Sequence, residues 1–295
     1  MTSSDVKVHI ATKEDMKAVS ALTVEEEWNY PVDYIETLRL LDPEGFFVAK
    51  KGDEIVGTGM AINLNDDFAY FAMSLTKKGH RKQGIQRRIF QERFKHAGNR
   101  NIGINSIDER RQEVNTEIGF KLISYQVSCV RGLVDRDALP SVGTLQSSNF
   151  KILPLSSVSF DSVVNYDANV VTFHRGYFLE LWCKSTGCVT FVSVNENGDI
   201  VGYVNARPFM GDFAVVPLIA DNTEIAESLF LTLIHHLPDD AFVKLHPVVQ
   251  NLAAVELAKK YNIQGLVYTI TCHFNKNIIP VKLDKVFSVS TPEAI

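Results

Sequence analysis

The feature that most restricts what this chain can become is one local plan written twice. Gly52-Asp53-Glu54-Ile55-Val56-Gly57 returns as Gly198-Asp199-Ile200-Val201-Gly202, with the Ile-Val-Gly triplets 145 residues apart. Each copy sits between alternating apolar runs, 46–49 and 58–62 in the first and 189–194 and 203–206 in the second. That pattern predicts a strand, a tight turn made by Gly and Asp, and a second strand. Downstream, Ile118-Gly119-Phe120 and Gln264-Gly265-Leu266 close helical patterns 146 residues apart, each Gly suited to the left-handed position past a helix end. Two matches at nearly one offset imply a duplicated domain. The 295 residues then divide into an N-terminal domain 1–135, a linker 136–150 rich in turn-forming residues, and a C-terminal domain 151–295. Helical periodicity is expected over 13–26, 34–41, 84–96 and 110–118 in the first copy, and over 160–164, 175–183, 224–235 and 251–261 in the second. Interleaved with strands, this gives an α+β class, each copy a mixed, mostly antiparallel twisted sheet flanked by helices.

Several functional classes fall away on composition. At 45% hydrophobic and 22% charged residues the chain is ordinary for a globular protein. Its longest apolar run, 213–220, is far shorter than the roughly 18 residues of a membrane span, and the N-terminus has no apolar core of a secretory leader. Cys129, Cys183, Cys188 and Cys272 form no Cys-x-x-Cys pair, and His235 and His236 diverge by about 100° on a helix, so no metal site is expected. A reducing, cytoplasmic location is the expectation.

Charge is uneven. Residues 77–100 hold nine bases against one acid on a chain whose formal net charge is −5. A solvated helix face would account for that, as would a site for a polyanion. The alternating run 68–75 reads as a strand, followed by Gly79-His80-Arg81-Lys82-Gln83-Gly84-Ile85-Gln86-Arg87-Arg88 and then an amphipathic pattern Ile85, Ile89, Phe90, Phe94. A strand running through a glycine-bearing loop into a helix aims unpaired N–H groups and the positive helix end at one spot, an anion site.

Here the chain resembles the GNAT superfamily of acyl-CoA-dependent N-acetyltransferases, whose pattern is Arg/Gln-x-x-Gly-x-Gly/Ala between the fourth strand and the third helix. Arg81-Lys82-Gln83-Gly84-Ile85-Gln86 fits it except at Gln86, which stands where a small residue lets backbone approach the diphosphate. Asn115-Thr116-Glu117-Ile118-Gly119-Phe120 resembles the family's Tyr-Glu-x-x-Gly-Phe, with Asn115 in place of the tyrosine that protonates the leaving thiolate. The resemblance spans both copies in a tandem arrangement. It implies acetyl-CoA held by the N-terminal copy at Ser74, Leu75, Thr76, Arg81, Lys82, Gln83, Gly84, Ile85, Gln86 and Arg87. The equivalent stretch of the second copy, 222–233, has no glycine and no base, carries Glu224 and Glu227, and begins at Asp221 with the look of an N-cap. That copy is expected to be degenerate and not to bind coenzyme A in the usual way.

Acetyl transfer needs a deprotonated amine, a donor for the thioester oxygen, and reactants held in line. Candidate bases are Glu26, within the run Glu25 to Glu27, and Asp67, beside Asp66; solvated termini and turns are the plainer reading of both. Tyr70 is a candidate acid. Trp28 and Asn29, in the loop after the first helix, are candidates to line the acceptor site. Arg175 and Arg207 of the second copy are candidates for an acceptor carboxylate, interface ion pairs being the alternative. The expected function is N-acetyl transfer to a small amine or amino-acid-like acceptor, without nucleic acid or membrane as partner. The alternative is a non-catalytic protein of the same shape that binds coenzyme A or a metabolite as sensor or scaffold.

Overall fold

A computed structural model describes residues 5–140 and 149–291, so residues 141–148 of the expected linker lie outside the described part. Contacts group the chain into two compact units, residues 5–105 with Phe274–Lys276, and Ser106–His273 with 277–291.

The first unit runs β1 (Val6–Ile10), α1 (Met16–Glu25), α2 (Val32–Leu41), β2 (Phe46–Lys51), β3 (Glu54–Asn63), β4 (Phe68–Thr76), α3 (Ile85–Ala97) and the opening five residues of β5 (Asn101–Ile107). Strands follow in the order β1-β2-β3-β4-β5, with β1 to β4 antiparallel to their neighbours and β5 parallel to β4. The three helices expected here form within three residues of the ends read from periodicity. Two glycines on β3 let α3 lie close to the sheet. A Cβ on Gly57 would stand 2.8 Å from Ile85, and one on Gly59 would stand 2.7 Å from Ile89. Ile85 and Ile89 thereby reach a core of Val6, Phe47, Ala49 and Val56, each such burial contributing about 1.5–3 kcal/mol.

The second unit opens with α4 (Arg111–Glu113), which widens into a π-helical turn over Val114–Ile118. A single regular helix was expected there. Instead the amides of Gly119, at φ 97°, and Phe120 both reach the Val114 carbonyl and close a wide turn. There follow β6 (Leu122–Leu133), β7 (Phe150–Pro154), α5 (Phe160–Val171), α6 (Gly176–Cys183), β8 (Val189–Asn195), β9 (Ile200–Phe209), β10 (Asp212–Ala220), α7 (Thr223–Ile234), β11 (Phe242–Leu245), α8 (Leu252–Lys260), β12 (Gly265–Phe274) and β13 (Val286–Ser288). Their order is β12-β6-β11-β10-β9-β8-β7, with β13 set against β10. Each unit thus carries helices and a sheet with antiparallel and parallel pairs, an α+β arrangement. α5 runs seven residues past the expected end because its polar position Asp167 is buried, ion-paired with Arg175 at 2.7 Å. The cap of α7 is Asn222, whose side chain accepts from the Ile225 amide, and not Asp221, which instead accepts from Tyr166 and Lys285 at 2.9 Å each.

A bulge marks the same place in both units. Between the pairs Thr58↔Leu75 and Met60↔Ala72, Met73 and Ser74 of β4 face the single residue Gly59. Between Ala206↔Val215 and Val204↔Leu218, Val216 and Pro217 of β10 face the single residue Asn205. A bulge leaves one residue without a ladder partner and redirects the backbone there.

Candidate active site

β4 pairs with β5 only from Phe68 to Phe71. From Ala72 to Thr76 its outer edge therefore carries no strand partner among the described residues. The bulge lies at the start of that edge, where Met73 sits at φ 54°, a conformation a methionine holds only under the constraint of its surroundings. Met73 is buried, and Ser74 and Thr76 are partly exposed. Chain edges in this state offer N–H and C=O groups to an extended ligand.

Directly after β4 a 3-10 turn, Lys78–His80, leads through Lys82 at φ 61° and Gly84 at φ 73° into α3. No side chain caps α3, so its first-turn amides remain free to take an anion, with the helix dipole adding to the attraction. A Cβ at Gly79 or Gly84 would meet nothing within 4 Å, so the loop face is open. Most of the bases in 77–100 are already engaged. Lys77 pairs with Glu54 at 2.6 Å, Arg88 donates to the Val6 carbonyl, Arg93 is buried, Lys95 faces Glu92 and Arg100 faces Asp66. Lys78, Lys82 and Arg87 have no ion pair among the described residues; all three are exposed, the first two in the turn before α3 and the third in its first turn. The charge is therefore concentrated at the loop rather than spread along a helix face.

Gln86 does not point into the loop. Its Nε2 donates to the Leu75 carbonyl, to Thr76 Oγ1 at 3.0 Å and to the Thr58 carbonyl at 3.2 Å. The amide therefore rests on the seam between β3 and β4.

Arg81 is shared between two tasks. Its guanidinium donates to the Glu26 carboxylate and, through Nε, to the Thr76 carbonyl at 3.3 Å. The structure thus brings Glu26, at the end of α1, to the start of the phosphate-loop pattern. Trp28 and Asn29 follow in a loop pinned by amides of both residues donating to the Thr23 carbonyl, with Glu27 and Asn29 at positive φ. Trp28 is 37% exposed and lies against Tyr30. Lys82, Gln83 and Arg87 are exposed, whereas Ile85 and Leu75 are core residues that contribute backbone only.

Other expected residues lie elsewhere. Asp67 is in the exposed turn before Phe68, at the far end of β4, roughly 20 Å from Ser74 at the rise of an extended strand. Tyr70 is fully buried, its ring close over Gly103 and edge-on to Phe68. In the second unit Arg175 gives Nε and Nη2 to Asp167, which also accepts from the Tyr203 hydroxyl, and Arg207 stacks 3.9 Å from the Trp182 ring. Both arginines are buried. Asn115 lies in the π-helical turn of the second unit.

Two features differ from what the sequence pattern suggests. One is Arg93, counted with the surface bases but wholly buried; its position one turn beyond Ile85 and Ile89 on the apolar face was the available signal. The other is β13, too short to show alternation. In the second unit β13 pairs with β10 at Leu218↔Ser288 and Ile219↔Val286, on the edge just past the bulge. Ser288 donates to the Val215 carbonyl at 2.7 Å and accepts from the His246 amide at 2.9 Å.

Two protein-family models match the chain, one in each half. One family model, described as acetyltransferase (GNAT) family, matches residues 14–115, and a second, acetyltransferase (GNAT) domain, matches 163–288. Holothin acyltransferase of a Pseudoalteromonas strain is 24% identical over 268 residues, spanning 90% of this chain and 87% of its own. A crystal structure described as an acetyltransferase of Pyrococcus horikoshii superposes with a TM-score of 0.80 at 17% identity, covering 98% of this chain and 96% of that one. A tandem GNAT protein from the clavulanic acid biosynthesis pathway gives 0.61 at 12% identity, covering 92% and 99%. At these identities the structural likeness is one of fold.

Proposed function

Starting from the premise that this chain belongs to the GNAT superfamily as a tandem acyltransferase, we propose that its N-terminal copy, 1–135, binds acetyl-CoA and transfers the acetyl group to a small amine or amino-acid-like acceptor. The observation that carries this reading is the adjacency of an unpartnered β4 edge, Ala72 to Thr76, and the uncapped start of α3. One offers a ladder to an extended amide-bearing arm, the other a cradle for a diphosphate, and a single acyl-CoA carries both groups. The clear loop face at Gly84, with Gln86 turned onto the strand seam, fits that ligand.

When bound, acyl-CoA supplies an acyl group activated as a thioester. The chain's own residues do the rest. Backbone amides from the bulge onward, Ser74 to Thr76, stabilise charge that gathers on the thioester oxygen. The α3 amides with Arg81, Lys82 and Arg87 hold the diphosphate. Glu26 takes the proton from the attacking amine, and Trp28 and Asn29 line the acceptor side. Arg81 links these events, since turning towards a diphosphate releases its hold on Glu26. A thiol of pKa about 8.5 leaves as thiolate without a dedicated acid, which accommodates Asn115 and the burial of Tyr70. The chain is expected to work without metal and as a soluble cytoplasmic protein; among the described residues no helix is long and apolar enough to cross a membrane.

The test is calorimetry with acetyl-CoA on the wild type and on Arg81→Glu, followed by thiol release over a panel of amines. A saturable single site weakened about 100-fold or more by Arg81→Glu is the expected result. Absence of saturable heat from the folded wild type overturns the reading, and binding without thiol release replaces the enzyme with the sensor or scaffold.

A further inference from the structure

Arg93 is the one base of the 77–100 segment with no exposed surface at all. It projects from α3 beneath the helix and reaches the bulge of β4. Its Nε donates to the Met60 carbonyl at 2.7 Å and its Nη1 to Ser74 Oγ at 2.6 Å. The guanidinium carbon lies 4.1 Å from the centre of the Phe71 ring and 4.5 Å from that of Phe90. Nη2 has no partner, and no carboxylate pairs with the group among the described residues. Burial pushes its pKa well down, yet an arginine starts so high that it stays a cation.

A buried cation of this kind is expensive to keep, and a leucine or methionine would fill the same space. The second unit makes that substitution. Ile225 and Leu229 lie over Gly202 as Ile85 and Ile89 lie over Gly57, and the residue one turn on, where α3 has Arg93, is the buried Leu233. Ser74 is likewise lost, since the bulge of β10 consists of Val216 and Pro217. The unit without the glycine-bearing loop is the unit without the arginine and the serine.

A guanidinium can only donate. Ser74 Oγ is therefore the acceptor in its bond to Arg93, and the hydroxyl proton is left to donate elsewhere. Ser74 is partly exposed and stands at the head of the unpartnered edge. We infer that Arg93 is a positioning residue for acyl transfer, fixing the β4 bulge and turning the Ser74 hydroxyl into a hydrogen-bond donor for the thioester oxygen. This rests on the proposed placement of the thioester at that edge. Ser74 keeps its proton throughout; the electron pair of the breaking C–S bond leaves with sulfur. The buried charge polarises the O–H bond from behind in a site of low local dielectric.

The experiment uses the full chain and acetyl-CoA with a turned-over amine, reading kcat, KM for acetyl-CoA, calorimetric affinity for coenzyme A, and melting temperature. Ser74→Ala, at a partly exposed position, is expected to lower kcat about 100-fold or more, the scale of losing an oxyanion donor, with coenzyme A affinity within about threefold of wild type. Arg93→Met is expected to lower kcat by a similar factor, and Arg93→Lys to restore part of it. The double variant should match Arg93→Met alone within about twofold, because the two residues act as one unit. Wild-type kcat in Ser74→Ala overturns the inference, whether or not Arg93→Met folds. So do additive losses in the double variant, or an Arg93→Met deficit that appears only as a lower melting temperature. A wild type that binds no acyl-CoA overturns the functional reading and this inference together, whereas a wild type that turns over while Ser74→Ala equals it overturns only this one.

Discussion

Past its bulge, β4 has an outer edge with no strand partner among the described residues; past its own bulge, β10 has that edge taken by β13. The two units share the parallel pairing before the bulge, the extra residue in it, and the helix that lies over the paired glycine of the preceding strand. They differ in everything that would address a ligand. The first has a helix start at Gly84 and Ile85 that no side chain caps among the described residues, bases beside it in the sequence, and Arg93 bonded to Ser74 of the edge strand. The second caps its helix with Asn222, places Glu224 in the first turn, and fills the edge with Val286 to Ser288 of its own chain. A duplicated fold thus keeps its scaffold where packing demands it and diverges where only a ligand would notice. In the second unit, main-chain hydrogen bonds that would otherwise await an extended ligand are made permanently by a strand.

If that account holds, β13 matters to the stability of the second unit and nothing else. Phe287 is 2% exposed and packs into a core with Leu218, Phe230 and Leu245. Phe287→Ala is expected to cost about 3–5 kcal/mol, the range for emptying a buried aromatic site, measured by chemical denaturation. Acetyl-CoA should still bind once per chain with unchanged affinity, since the second helix start stays capped and acidic. A second equivalent bound by this variant would break the comparison, showing that β13 alone had kept the ligand out.

A smaller effect concerns pH. His246 holds β13 through its backbone, its amide donating to Ser288 Oγ and its carbonyl accepting from the Val289 amide at 3.0 Å. Its ring is buried, with Nδ1 unpartnered among the described residues. Burial, and then the nearby Lys244 charge, hold its pKa down at about 4 against an ordinary 6.5. The unfolded chain therefore binds a proton that the folded one refuses between those values. The stability contributed by the neutral ring is complete above about pH 6.5 and is lost as pH falls towards 4, up to about 3 kcal/mol. The difference in unfolding free energy between wild type and His246→Gln should shrink across that window. A flat difference would mean the ring stays hydrated, and β13 would then be less tightly sealed than the comparison requires.

How much of this could be read in advance follows from the range of each signal. The turn glycines and alternating strands of both copies are local, so the duplication and seven of the helices were legible from residues such as Gly57 and Gly202. The glycine-bearing turn from β4 into α3 was legible for the same reason, because strand, glycine and helix are contiguous from Phe68 to Ala97. What escaped depends on partners far along the chain. β13 meets a strand about 70 residues earlier and is three residues long. Asp167 hid part of α5 because its charge is cancelled by Arg175, and Arg93 passed for a surface base because two phenylalanines and a serine, not water, surround its head. Burial of a charge leaves almost no trace in composition.

The least disruptive change bears on the one residue that departs from the loop pattern. Were Gln86 an obstacle, trimming it would tighten binding. The geometry says otherwise, because Nε2 is spent on Leu75, Thr76 and Thr58 of β4 and β3. Gln86→Ala should leave acetyl-CoA affinity within about threefold and cost about 1 kcal/mol of stability, the net worth of the lost hydrogen bonds less the relief of an Oε1 that has no partner among the described residues. Calorimetry and denaturation on the same preparation separate the two. A tenfold gain in affinity would place the side chain in the ligand's path, and the departure at Gln86 would then mark partial decay of the first unit towards the state of the second.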